Sequence, residues 1–218
     1  MDTVNRAQTH QVCSVLLRYP DDSMPDLLPL IGDIVAGLPE EAAAPLGGFL
    51  DYLATAPLLE VQRHYVDTFD MRRKCSPYMT YWTHGDTRNR GMALLHFKEA
   101  YREAGVTIDE EELPDHLAVV LEFAATCDSE LGNALLAEHR GVIALLHTAL
   151  ADTSSPYAAV VDAVLRTTSA LTAEDELLMQ KLALNGPPTE TVGMAGPVDL
   201  TLTPFGVQSS DMAMEARR

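Results

Sequence analysis

Apolar residues recur at three- and four-residue intervals along most of the chain, and nowhere does the apolar/polar alternation of a half-buried strand take over. The spacing predicts a first helix over residues 5–18, stopped by Pro20, and a second over 25–36, ended by Gly37-Leu38-Pro39. A third follows over 41–55, interrupted in its pattern by Gly47-Gly48. Pro57 then opens a fourth, with Leu58, Val61, Tyr65 and Phe69 along one side. Asp86 is placed to cap a helix running to Gly105, with Leu94, Phe97 and Tyr101 on its stripe. Pro114 opens the next, carrying Leu117, Val120, Leu121 and Ala124, and a single long helix is expected from Ser129 to about Leu150. Ser155-Pro156 starts another with Tyr157, Val161, Val164 and Leu165, and Thr172-Ala173-Glu174-Asp175 has the form of a capping box with Asp in the Glu position. Beyond Asn185 the period is lost in a Pro-, Gly- and Thr-rich stretch. The expectation is therefore all-α: one bundle of eight to ten helices over residues 1–184, followed by a flexible tail over 185–218.

Composition narrows the function more than the fold. An apolar fraction of 47% in 218 residues supports one real core. No apolar run reaches bilayer length and the N-terminus lacks a basic head before an apolar stretch, so neither stable membrane insertion nor a secretory signal is expected. Three cysteines without a CxxC pair argue against a disulfide framework, and the expected location is cytoplasmic. A net charge of −17 speaks against nucleic acid as a partner. The charge is uneven, however. Residues 63–102 hold eight of the fifteen Lys and Arg against four acids, so this segment is +4 and the remainder −21. That acidic remainder suits cations or basic peptides.

Catalytic signatures are missing. The chain has no GxxxxGK[ST], HExxH or GxSxG, and no nucleophile is paired with a base by spacing. His10 and Cys13 are three apart on a helix, but with no second pair nearby they read as a buried thiol beside a surface histidine rather than as metal ligands. His139 and His147, eight apart on a long helix, are expected to face solvent or the edge of the core. No enzyme activity and no cofactor are expected.

The least ordinary stretch is YVDTFDMRRKCSPYMTYWTHGDTRNRGMALLHFK, residues 65–98. Its Tyr65-x-x-Thr68-Phe69-Asp70 lead, the turn Tyr81-x-Thr83-His84-Gly85-Asp86, Arg90-Gly91 and the later Leu113-Pro114-Asp115-His116-Leu117 together resemble the NarJ-type assembly chaperones of respiratory nitrate reductase. The resemblance is strong over residues 60–126. It implies a helical chaperone that performs no chemistry. Such a chaperone binds the basic, apolar N-terminal segment of the apo catalytic subunit and holds it for molybdenum cofactor insertion before membrane docking.

On that resemblance the partner-peptide site is expected at Tyr81, Trp82, His84, Asp86, Arg90, Pro114, Asp115, His116 and Leu117. Several of these have plainer readings. Pro114 and Asp115 suit the first turn of a helix on geometry and dipole alone. Tyr78, Tyr81 and Trp82 either plug the core where the chain turns or wall a groove. His84-Gly85-Asp86 reads as a turn and cap, with Arg88 and Arg90 pairing to Asp70 or Asp86. His116 has the chemistry to switch charge near neutral pH. Arg72-Arg73-Lys74 is a solvated charge run by default. The competing functional reading is a small-molecule or nucleotide-binding enzyme with a polar site at His84, Asp86 and Arg90.

Overall fold

The computed structural model describes residues 1–108 and 112–188. Eleven α-helices account for the ordered chain among them: α1 Thr3–Leu16, α2 Met24–Ala36, α3 Glu40–Thr55, α4 Leu58–Tyr65, α5 Met79–His84, α6 Arg88–Glu103, α7 Leu117–Thr126, α8 Ser129–Glu138, α9 Arg140–Asp152, α10 Tyr157–Thr167 and α11 Ala173–Asn185. The all-α expectation holds, with one more helix than the upper count. The only extended pairing among the described residues is a single antiparallel bridge between Tyr78 and His116.

Helix α7 is the centre because most of its circumference is apolar. Leu117, Ala118, Val120, Leu121 and Ala124 are all essentially inaccessible, leaving Glu122 and Thr126 on a narrow polar edge. It packs against α1 and α8; α10 in turn packs on α1, α3 and α9, and α11 on α9. Full burial of each Leu or Val here stabilises by roughly 1.5–3 kcal/mol. A second nucleus is aromatic: the Tyr157 ring of α10 lies 4.9 Å from both Phe49 and Phe69 and stacks on His64 at 5.9 Å.

The α7–α8 contact depends on one glycine. A Cβ on Gly132 would stand 2.4 Å from the Cα of Ala124, so a methyl there has to push two backbones apart. Gly132→Ala is expected to cost about 2–3 kcal/mol, the upper part of the overpacking range, measured by chemical denaturation. A loss below half a kilocalorie would show that the helices slide freely.

Local signals placed most ends correctly. Thr172 and Asp175 form the expected capping box, whereas α1 begins two residues earlier than expected because Asp2 caps it by accepting the Asn5 N–H at 2.8 Å. The expected helix over 129–150 is instead two. It breaks at His139, whose ring Nδ1 reaches the Leu135 carbonyl at 3.0 Å. The new direction carries Arg140 onto Asp175 at the start of α11, at 2.6 Å, with Gly141 against the Asp175 side chain. Burial alone would raise the Asp175 carboxyl, but Thr172 and Arg140 outweigh it and hold the group below the usual carboxylate range. A tertiary ion pair won over an uninterrupted period. Residues 189–218, most of the expected tail, lie outside the described residues.

Candidate functional site

Between α4 and α6 the chain leaves regular α-geometry. Residues Val66–Asp70 form a π-turn and Arg73–Cys75 a 3₁₀ turn before α5 begins. A π-turn rotates side chains off the α-helical stripe and recurs at functional sites. Here Tyr65 faces Tyr19 edge-on at 5.5 Å while Phe69 turns into the Tyr157 cluster.

The following segment is tied to residue 115. The Met79 N–H donates to the Asp115 carbonyl at 3.0 Å, and the Leu117 N–H to the Pro77 carbonyl at 2.9 Å. Asp115 itself is fully buried, at 0% exposure. Its Oδ2 accepts the Thr80 N–H at 3.0 Å and the Thr80 hydroxyl at 2.5 Å, and lies 3.7 Å from the Arg90 guanidinium. Arg90 also reaches Thr80 Oγ1 and Asp86, and its cationic carbon lies 5.5 and 5.7 Å from the Tyr78 and Tyr81 ring centres. A buried carboxylate is tolerable only with such donors and a counter-charge. Asp115 thus clamps α5, α6 and the entry to α7 together.

This corrects the helix-start reading. The α7 helix begins at Leu117, and its cap is His116, whose Nδ1 accepts the Ala118 N–H at 3.1 Å. Pro114 precedes the helix, and its carbonyl accepts a hydrogen bond from the Tyr101 hydroxyl at 2.7 Å. Asp86 likewise does not cap α6: Thr87 holds that position, and Asp86 pairs with Arg90 one turn on. Burial pushes the His116 imidazole down to about 4, with Asp115 opposing the shift and Arg18 reinforcing it. The residue is therefore a neutral cap at physiological pH, and the expected switch near neutrality is not available to it.

A cleft of about 500 Å³ opens beside this clamp, well inside the range of binding sites. Tyr19, Tyr65, Tyr78, Leu113, His116 and Val119 furnish its apolar and aromatic surface. Asp21, Glu112, Arg18 and Ala118 complete the lining. Arg18 is ion-paired to Glu122, so its charge is answered locally. The Asp21 carboxyl is held below its usual value by the Ser23 hydroxyl and N–H. The net unanswered charge of the cleft is negative.

A family model for the nitrate reductase delta subunit matches residues 36–162, more than half of the chain. The chain belongs to the nitrate reductase delta subunit family. Within this NarJ-type family it is 33% identical over 169 residues to the NarJ protein of Bacillus subtilis, covering 76% of this chain and 90% of that one. It is 32% identical over 158 residues to the Escherichia coli nitrate reductase molybdenum cofactor assembly chaperone NarJ, covering 71% and 67%. It is 45% identical over 157 residues to the nitrate reductase-like protein NarX of Mycobacterium tuberculosis, where the match takes 72% of this chain but spans 24% of NarX. A solved Archaeoglobus fulgidus structure assigned to redox enzyme maturation shares the fold, with a TM-score of 0.55 at 24% identity over 73% of this chain and 91% of that one.

The segments that carry the resemblance fall at the clamp and the cleft, but not as one surface. Tyr81, Asp86, Arg90 and Asp115 meet at the clamp, and His116 alone of the nine expected site residues lines the cleft. Leu117 is core. Trp82 is 4% exposed, donates its indole N–H to the Ser76 carbonyl at 3.0 Å, and borders a different cleft. The His84 Nδ1 turns to the Thr83 hydroxyl and the Thr80 carbonyl, and no hydrogen bond or ion pair joins it to Asp86 or Arg90 among the described residues. Of the three residues in the competing reading, Asp86 and Arg90 thus pair with each other while His84 bonds within its own helix. Missed were Tyr19, Tyr65, Asp21, Glu112 and Val119, since they come from four separate elements. The one local hint was Tyr19-Pro20-Asp21-Asp22, an aromatic left exposed past a helix end.

His10 also departs from expectation. It is buried rather than on the surface, 2.7 Å from Thr167 Oγ1, and burial with the nearby Arg6 pushes it down to about 4. Cys13 is the buried thiol expected. Among the described residues no cluster of three or more metal-ligating side chains occurs, and no helix is long and apolar enough to cross a membrane. His10 and His116 bind protons in the unfolded chain near the ordinary histidine value of about 6.5 but in the folded chain only near 4. Their contribution is therefore complete above about pH 6.5 and is lost as pH falls toward 4. It amounts to roughly 3 kcal/mol per site at most. Urea midpoints between pH 7 and pH 4 are expected to fall accordingly, and His10→Asn should flatten part of that slope.

Proposed function

We propose that this chain is an assembly chaperone for a respiratory nitrate reductase. It binds the N-terminal segment of the apo catalytic subunit and holds the subunit for molybdenum cofactor insertion before membrane docking. The observation that carries this reading is the cleft: three tyrosines, Leu113 and Val119 form an apolar wall with Asp21 and Glu112 beside it. An amphipathic segment with cations flanking its apolar side chains matches that surface in shape and in sign. Tyrosines supply large contact area while losing little rotamer freedom. The named roles of the NarJ relatives support the same assignment. In this reading the protein works by binding alone, and the clamp around Asp115 acts indirectly, by holding Tyr78 and His116 in place.

Calorimetric titration with a synthetic peptide of that N-terminal segment tests the reading. The expected result is one site, weakened by salt because charge complementarity contributes. Since His116 is neutral throughout, its affinity should be flat between pH 6 and 8. A histidine-dependent rise toward pH 6, abolished by His116→Gln, would contradict the neutral-cap geometry.

A further inference from the structure

Two adjoining clefts follow helix α11. The larger, about 570 Å³, lies between the Arg73–Cys75 turn, α9 and α11, and the other, about 510 Å³, continues along α11 to Pro187 and Pro188. Leu182 and Gly186 line both, so the two make one groove. Among the described residues it shares no lining residue with the tyrosine cleft. Its sign is also opposite. Arg72, Arg73, Lys74 and Lys181 line it, all exposed, against the single acid Asp152. Arg18 in the tyrosine cleft is answered by Glu122, and Arg90, Arg140 and Arg166 have carboxylate partners. None of these four cations forms an ion pair among the described residues. In a chain of net charge −17 the complement of such a groove is an acidic ligand.

The floor beneath the cations is apolar and built from two helices. Leu145 and Ala149 of α9, and Leu178 and Leu182 of α11, are each one helical turn apart, so two i, i+4 rows line the groove. An apolar groove between such rows accepts an amphipathic helix through anchors at i, i+4 and i+7. From Leu178 to Gly186 the helix and its cap rise about 12 Å, close to the two turns over which those anchors lie. The far end is walled by Pro187 and Pro188, and that wall is held in place. Pro188 crosses the Gly85 turn so closely that a Cβ on Gly85 would lie 1.7 Å from the Pro188 carbonyl oxygen, and Gly85 has φ +59°. The glycine of the His84-Gly85-Asp86 turn therefore serves a backbone crossing as well as a turn.

We propose that this groove binds a short acidic amphipathic helix of a partner protein. The guest's apolar stripe lies on Leu145, Ala149, Leu178 and Leu182, and its carboxylates face Arg72, Arg73, Lys74 and Lys181. The groove goes beyond the basic-segment binding inferred above and uses none of the same residues, so the chain carries two peptide sites of opposite charge preference. The apolar floor supplies contact to any helix of the right stripe. The cations select among them, because a basic helix laid on the same floor is repelled.

The test titrates the isotope-labelled full chain with a synthetic peptide of about four helical turns, leucine at each third and fourth position and glutamate elsewhere. A second peptide has lysine in place of every glutamate. Amide resonances of Lys74, Thr148, Ala149 and Lys181 are expected to shift along one saturation curve with the glutamate peptide, while those of Tyr19 and Val119 stay in place. The lysine peptide should leave the groove amides unshifted. Arg72→Glu with Lys181→Glu, exposed positions in the two halves of the groove, should weaken the glutamate peptide about tenfold. Asp152→Asn, which removes the groove's one acid, should tighten it. Unshifted groove amides, an affinity indifferent to the charge reversal, or equal binding of the lysine peptide would overturn the proposal. So would an oligothymidylate that shifts the same amides at lower concentration, which would assign the groove to single-stranded nucleic acid. The same shifts on raising protein concentration alone would assign it to a second copy and overturn it equally.

Discussion

Replacing Asp115 with alanine is expected to lower the folding free energy by about 3–5 kcal/mol, the range for breaking a buried ion pair from one side. The substitution removes the acceptor for both the Thr80 N–H and the Thr80 hydroxyl, and leaves Arg90 with only the exposed Asp86 as counter-charge. Asp115→Asn keeps an acceptor for Thr80 and should lose clearly less, which separates the hydrogen bonds from the charge. The clamp is not fully satisfied even in the parent: Asp115 Oδ1 and one terminal nitrogen of Arg90 are buried without a hydrogen-bond partner. Some of the pair's strength is thereby forgone. Denaturation curves of the two variants decide the matter. A loss under 1 kcal/mol for the alanine variant would mean that the region relaxes, and that Asp115 holds nothing in place.

The second large effect concerns affinity rather than stability. Tyr19 is half exposed, touches Tyr65 edge-on at 5.5 Å and faces the cleft. Its truncation should leave the fold intact. Tyr19→Ala is expected to weaken peptide binding by about thirty-fold, the equivalent of roughly 2 kcal/mol for an aromatic anchor. Adding Leu113→Ala should bring the loss to about a hundred-fold. Met92→Ala, an exposed position on α6, serves as the control and should change nothing. Equal affinities for Tyr19→Ala and the parent, with unchanged melting, would move the peptide off this cleft.

How much of this could be read from the residues alone depends on the range of the interaction. The helices were legible because their period, prolines and caps act within a few residues; the Thr172–Asp175 box behaves as its positions predict. The break at His139 was not, because its cause is Asp175, thirty-five residues from Arg140 along the chain. The same distance hid Asp115. By local rules Pro114-Asp115 starts a helix, whereas the carboxylate is instead consumed by Thr80, again thirty-five residues away. The cleft was hidden for a further reason. Tyr65 belongs to the helical stripe with Val61 and Phe69 and packs on Phe69 and Tyr157 as that stripe predicts, so nothing local shows that one edge of it also lines the cleft. The segments of the resemblance therefore lead to the clamp and to His116, while the other residues lining the cleft come from elements that meet only in the fold.

The central claim is that the tyrosine-lined acidic cleft holds a basic, apolar segment of an unfinished enzyme. Titration calorimetry of the full chain with the catalytic subunit's N-terminal peptide, run in parallel on Tyr19→Ala, tests it most directly. The account predicts saturable one-to-one binding by the parent, weakened by salt and reduced about thirty-fold in the variant. No heat of binding from the parent at peptide concentrations up to the millimolar range would contradict it.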